Sequence, residues 1–281
     1  GGLLYFSPVG GHSALVPVGQ MVWIHGKERI PGAVGRKAIH LLDPDEQKQV
    51  PKTYELWIDI GAGSKAEAEK LVSLGDVVTY QYELQQLAGT RAMARAFDNK
   101  AGLFIVAEAL RLLREDGGLH PQVGVFGLGT VQEEVGSRGA ETSAFGIDPQ
   151  TGIAVDMEQA VDYPGTPPSR YGTLDMGKGP SISRGPNTNP IVFDLLVRAA
   201  RENDLPFQLQ IASSPTPTDA KAMQVSGRGM ATGLIGVPLR YMHTPCEVVD
   251  LTDVDNCAKL LAAYCRLIRP DTDFKPITAA G

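Results

Sequence analysis

The chain has 281 residues, 43% apolar and 21% charged, the balance of a folded globular protein and not of a disordered or collagen-like one. At roughly 150 residues per domain, the length corresponds to one large domain or two ordinary ones. The net charge of -6, with 26 Lys and Arg scattered without runs, excludes the basic footprint of a nucleic-acid binder.

No stretch approaches the apolar length of a membrane span and no signal peptide is legible, so no membrane partner is expected. Cys246, Cys257 and Cys265 form no CxxC pair and suit free thiols in a reducing cytoplasm. The chain opens on Gly1 and Gly2 within a stretch that already reads as strand, so an N-terminal segment is expected to have been cut or left out.

Residues 1–84 are rich in Gly and Pro, with β-type runs at 21–25 (MVWIH) and 55–60 (ELWIDI), and read as a small β-rich module. Ser64, with Glu67 three residues on, predicts a short helix over 65–74. The polar stretch 40–51 reads as a surface loop, and Val22, Trp23 and Trp57 as exposed apolar positions on sheet edges that seek a partner. From about Ala88 the period changes. Leu103, Val106, Ala107, Leu110 and Leu113 recur at helical spacing, and residues 122–128 (QVGVFGL) and 153–155 read as buried strands. Pro190 opens a helix through Ala200, 207–211 and 233–237 are further strands, and 254–268 is a closing helix. This alternation predicts an α/β fold, a largely parallel sheet with helices on both faces.

In such a sheet, polar residues just past the strand ends are the first candidates for chemistry. Asp98 in FDNKAG, taken alone, is best read as a helix cap. Glu133 and Glu134 in QEEVGSRG, taken alone, are a solvated acidic turn, but their place after an apolar run argues against that. Asp156 in IAVDM closes an apolar strand and, taken alone, reads equally as a strand-end cap or a functional residue, and His243 follows GLIGVPLRYM; His12, His25, His40 and His120 read as structural or exposed. Asp98, Glu134, Asp156 and His243 together supply three carboxylates and one imidazole, a ligand set for a pair of borderline divalent cations such as zinc, cobalt or manganese. Glu133, turned away from Glu134 in an extended chain, is left free to take a proton.

FDNKAG, VQEEVGSRGA, AVDM and RYMHTPCEVVDL, in this order and joined by PVGG, GRKAIHLL, ELWIDIGA and GKGPSISRGPN, resemble the deblocking or tetrahedral aminopeptidases, some of which also carry cellulase or glucanase names. The resemblance covers nearly the whole chain. It implies a catalytic α/β domain over 85–281, its N-terminal part missing, with the mixed, mostly parallel sheet of co-catalytic zinc peptidases. Residues 1–84 become an inserted dimerisation and assembly domain. The implied cofactors are two divalent ions, zinc first. Asp98 would bridge them, Glu134 and His243 would complete one site, Asp156 would belong to the other, and Glu133 would be general base to a metal-bridging hydroxide. The implied partners are a peptide substrate and further copies of the chain, first as a dimer and then as a tetrahedral dodecamer.

The family's HxDE motif has no counterpart here, so the Asp98–Asp156 site keeps two side chains and is expected to be the emptier; His12 does not fill the gap. Pro217 stands where the family usually has Gly, so the loop near Asp219 is expected to differ. Two other readings are weighed. A glucanase using Glu133 and Asp98 leaves His243 and Asp156 unexplained, and aromatics for a sugar platform are few at 6%. A truncated, non-catalytic scaffold falls if the intact protein carries the HxDE segment.

Overall fold

The computed structural model describes residues 1–276. Its contacts divide the chain into two units, residues 1–83 with the short segment 243–246, and residues 84–242 with the chain from 247 onward.

The first unit contains β1 (Met21–His25), β2 (Arg29–Gly35), α1 (Pro44–Gln47), β3 (Trp57–Asp59), α2 (Lys65–Leu71) and β4 (Val77–Tyr80). The strands form one antiparallel sheet in the order β3-β2-β1-β4. Period-two alternation sends Val22 and Ile24 into a small core with Val34, Leu56 and Ile58. Val22 is therefore not the exposed position expected of it, because neighbours on a strand face opposite ways and Trp23 takes the outer face. Trp23 and Trp57 are only half-buried, and the Arg29 guanidinium lies 4.4 Å from the Trp23 ring centroid. Ser64 Oγ accepts the Glu67 N–H at 3.2 Å and starts α2, while the Glu67 carboxylate reaches back to the Gly63 N–H at 2.8 Å. In the polar 40–51 stretch, α1 forms where Glu46 Oε2 accepts the Asp43 N–H at 2.8 Å.

The second unit contains β5 (Gln85–Gln86), β6 (Arg91–Ala94), α3 (Phe97–Asp116), α4 (Arg138–Ile147), β7 (Thr151–Gln159), α5 (Pro168–Tyr171) and β8 (Ser181–Arg184). It continues through α6 (Pro190–Glu202), β9 (Gln208–Ile211), α7 (Asp219–Val225), β10 (Ala231–Arg240), β11 (Glu247–Asp250) and α8 (Leu251–Leu267). The sheet runs β5-β6-β11-β10-β8-β9, with β7 also paired to β10. Asn189 caps α6, accepting the Ile191 and Val192 N–H groups, and Asp250 caps α8 by accepting the Thr252 N–H at 2.9 Å, so α8 starts earlier than its apolar period suggests.

The sheet is mixed, and more of its described strand pairings are antiparallel than the expected mostly parallel sheet would have. Among the described strands only β7 with β10 and β8 with β9 run parallel; β5–β6, β6–β11, β11–β10 and β10–β8 are antiparallel. The physical reason is connection length. Short links join β5 to β6 and β10 to β11, whereas a parallel neighbour needs a crossover of about a dozen residues or more, such as the α6 segment between β8 and β9.

Residues 122–128 are a second correction: they form no strand. Val123 and Val125 do turn inward to the helices at the expected period, but no described strand meets their backbone, and Phe126 is 68% exposed.

Ile235, Val237 and Leu239 of β10 join Ile153 and Met157 of β7 in the main core, packed by α3, α6 and α8. Ala154 and Leu234 face the other way, onto Ala220 and Met223 of α7. Helices thus cover both faces. All three cysteines are free, and no helix among the described residues is long and apolar enough to cross a membrane.

Candidate metal centre

Three connections carry the candidate residues. Asp98 lies at the β6–α3 junction, where Ala96 is left-handed (φ 58°) and Asp98 and Asn99, joined by a cis peptide, depart from helical angles before α3 proper begins. The Asp98 N–H donates to Glu247 Oε2 at 3.0 Å. Asn99 Nδ2 donates to the Val155 carbonyl at 2.8 Å and to Asp156 Oδ1 at 3.0 Å, and its own Oδ1 accepts the Gly102 N–H. A Cβ on Gly102 would stand 2.1 Å from Asn99 Oδ1, so the glycine is what lets Asn99 reach β7.

Glu133 and Glu134 sit in a single 3₁₀ turn (Glu133–Val135) between the left-handed residues Gln132 and Gly136. The expectation that they diverge because the chain is extended is corrected in its reason: at three residues per turn, neighbours point about 120° apart. The turn is closed from behind. Gly139 N–H donates to the Val131 carbonyl at 2.9 Å, and a Cβ on Gly139 would stand 2.3 Å from Val131 N. Thr130 Oγ1 donates to Asp219 Oδ2 at 2.5 Å.

His243 lies in the connection between β10 and β11, with Tyr241 and His243 both left-handed. One ligand atom each of Asp98, Glu134 and His243 fall within 4.8 Å of one another. Asp98 and His243 are half-buried and Glu134 is exposed. Asp156 is not part of that close trio. Its carboxyl, on the same face of β7 as Ala154, accepts the Asn99 amide and the Met157 N–H. Burial, then the negative charge of Asp98, pushes its pKa up to about 8, with Glu133 and Asp219 adding to the rise and the Met157 bond opposing it. A carboxyl made this hard to ionise, surrounded by three further carboxylates, is what a cation would relieve.

Three other histidines make hydrogen bonds of their own, although His12 lies near enough to His243 for the two to interact electrostatically. His12 Nε2 pairs with the Tyr80 hydroxyl at 2.7 Å, His25 with Thr79 Oγ1 at 2.8 Å, and His120 Nδ1 accepts the Gln122 N–H. At Pro217 the chain makes a tight turn in which the Thr218 N–H donates to the Thr216 carbonyl at 2.9 Å. Reading the sequence missed Asn99, Glu247 and Thr130, and it marked Asp219 only through the loop at Pro217. Asn99 adjoins the candidate ligand Asp98, and Glu247 is a carboxylate opening an apolar strand; nothing local marks Thr130.

The family model of the M42 glutamyl aminopeptidases matches residues 1–260. The chain belongs to this family. It is therefore a metal-dependent aminopeptidase, a hydrolase of peptide bonds. Among solved structures, a TET aminopeptidase from a marine-sediment Thaumarchaeota archaeon is 32% identical, with a TM-score of 0.90 over 96% of this chain and 76% of that one. The TET1 peptidase of Pyrococcus horikoshii, described as assembling into a tetrahedron or a large octahedral shell, is 28% identical, with a TM-score of 0.79 over 94% and 77%. The lysyl aminopeptidase of Pyrococcus furiosus is 34% identical over 78% of this chain, which spans 61% of that relative's length.

Proposed function

We propose that Asp98, Glu134 and His243 hold one divalent cation, that Asp98 and Asp156 contribute to a second, and that Glu133 is the general base of aminopeptidase hydrolysis. The observation that carries this reading is the convergence of two carboxylates and an imidazole within 4.8 Å. Mixed oxygen and nitrogen donors of this kind suit zinc, with cobalt and manganese as alternatives. When bound, the cations supply Lewis acidity toward the scissile carbonyl and the attacking water. Glu133, turned away from Glu134 and close enough to Asp156 to raise its pKa, takes a proton from that water and returns it to the leaving amine.

The first unit serves assembly, so that the chain works as a homo-oligomer, a dimer built up into a dodecamer like the shells formed by the Pyrococcus horikoshii relative. The glucanase reading is weaker, because it gives His243 no task beside Asp98 and Glu134.

The test is release of p-nitroaniline from leucine p-nitroanilide with and without chelator, beside a soluble cellulose derivative. Chelator-sensitive release, restored by zinc, cobalt or manganese, is expected. Cellulose cleavage that survives chelator would overturn the reading.

A further inference from the structure

We infer that Glu247 is a positioning residue that fixes Asp98, and through it the metal centre; this rests on the metal-centre reading above. Glu247 is the first residue of β11 and is 3% exposed, although a buried carboxylate is tolerated only where it is paired or hydrogen-bonded. In the antiparallel pairing of β11 with β6 it stands opposite Ala94, four residues before Asp98. From there its Oε2 accepts the Asp98 N–H at 3.0 Å.

That N–H lies at the start of α3, where the first turn has no intrahelical acceptors and Asp98 itself is non-helical (φ -78°, ψ 103°). A buried acceptor on a sheet strand therefore sets the backbone from which the Asp98 carboxylate projects. β11 is also the strand that receives the connection carrying His243. One side chain thus ties the strand that follows one ligand to the amide of another. Partners of this kind behind a ligand characteristically change metal affinity by about 10- to 100-fold.

The full chain is tested in three forms: wild type, Glu247→Met, which fills the same space without an acceptor, and Glu247→Gln, whose amide oxygen can still accept. Zinc affinity is measured by competition with a chromophoric chelator, the thermal midpoint in excess chelator, and kcat and KM on leucine p-nitroanilide. Glu247→Met should bind zinc about 10- to 100-fold more weakly, while Glu247→Gln recovers most of that loss. The fall in turnover should be in kcat at limiting zinc and be largely restored at saturating zinc. A folded Glu247→Met that binds zinc like the wild type, or a Glu247→Gln as weak as Glu247→Met, overturns the role of Glu247 alone. If Glu247→Met does not fold, Glu247→Asp replaces it: withdrawing the oxygen by one methylene should give the same loss, and wild-type affinity would overturn the inference. A wild type that takes up no zinc overturns the metal-centre reading and this inference together.

Discussion

Glu133 and Glu134 are chemically identical neighbours, and only the backbone assigns them different work. The 3₁₀ turn sends Glu134 toward Asp98 and His243, while Glu133 makes itself felt at Asp156. Glu133→Gln should lower kcat by about 10²- to 10⁴-fold with metal content nearly intact, because a general base moves a proton without holding the ion. Glu134→Gln should instead lose metal. Atomic absorption after gel filtration, run beside turnover, separates the two, and a Glu133→Gln protein that loses its metal while Glu134→Gln stays active would exchange the roles. Motif order was enough to name Asp98, Glu133, Glu134, Asp156 and His243 as candidates. The residues behind them were not legible, because Asn99 acts on Asp156 and Glu247 on Asp98 across 57 and 149 positions, contacts that exist only once β6, β7 and β11 lie in one sheet.

The elements that were legible are those whose signals are local. Caps at Asn189 and Asp250 and the apolar periods of α3, α6 and α8 are short-range features; the direction of each strand is not, and four of the six described pairings are antiparallel where a mostly parallel sheet is expected. The parallel pair of β7 and β10 shows what holds such a pair together past its last ladder bond. Arg240, at the end of β10, grips Asp162 just beyond β7 with Nε to Oδ1 at 2.8 Å and a second nitrogen to Oδ2 at 2.6 Å, both side chains about 15% exposed. Burial pushes the Asp162 carboxyl up, but the Arg240 bonds and charge outweigh it and the net pKa is lowered. A lowered carboxylate stabilises the fold above the ordinary carboxylate range and loses that contribution as pH falls through the folded value. Asp162→Asn should therefore cost about 2 kcal/mol at neutral pH, the scale of a hydrogen bond to a charged group, and progressively less toward pH 3. Urea denaturation of both proteins at the two pH values measures it. A penalty that does not shrink in acid would mean that Asp162 contributes through shape and not through charge.

At the scale of the whole molecule, the small antiparallel unit has a core of its own, built from Val22, Ile24, Val34, Leu56 and Ile58, and its surface carries apolar side chains that this core does not cover. They are not the tryptophans. Ile39, Leu41, Val50 and Tyr54, between 58% and 68% exposed, lie on the segment 39–55 around α1, beside a cavity of about 380 Å³ lined by Val18, Val34, Ile39 and Leu42 with Arg36, Lys37 and Gln47 at its edge. Scattered apolar residues on a surface need no explanation, but four on one short segment next to an apolar cavity fit a surface covered by another copy of the chain. Closed assemblies are built from self-complementary contacts, so a single substitution is repeated at every equivalent interface. Ile39→Glu combined with Leu41→Glu should place like charges in each such contact and reduce the particle to smaller species, without unfolding a core to which neither residue belongs. Light scattering of the wild type at micromolar concentration should give a multiple of the 30.0 kDa protomer mass, twelve for a tetrahedral shell. The double variant should give a lower multiple with unchanged far-ultraviolet circular dichroism. A wild type that is strictly monomeric would remove the shell and any selection of substrates by size, and a variant that assembles like the wild type would move the interface to another face.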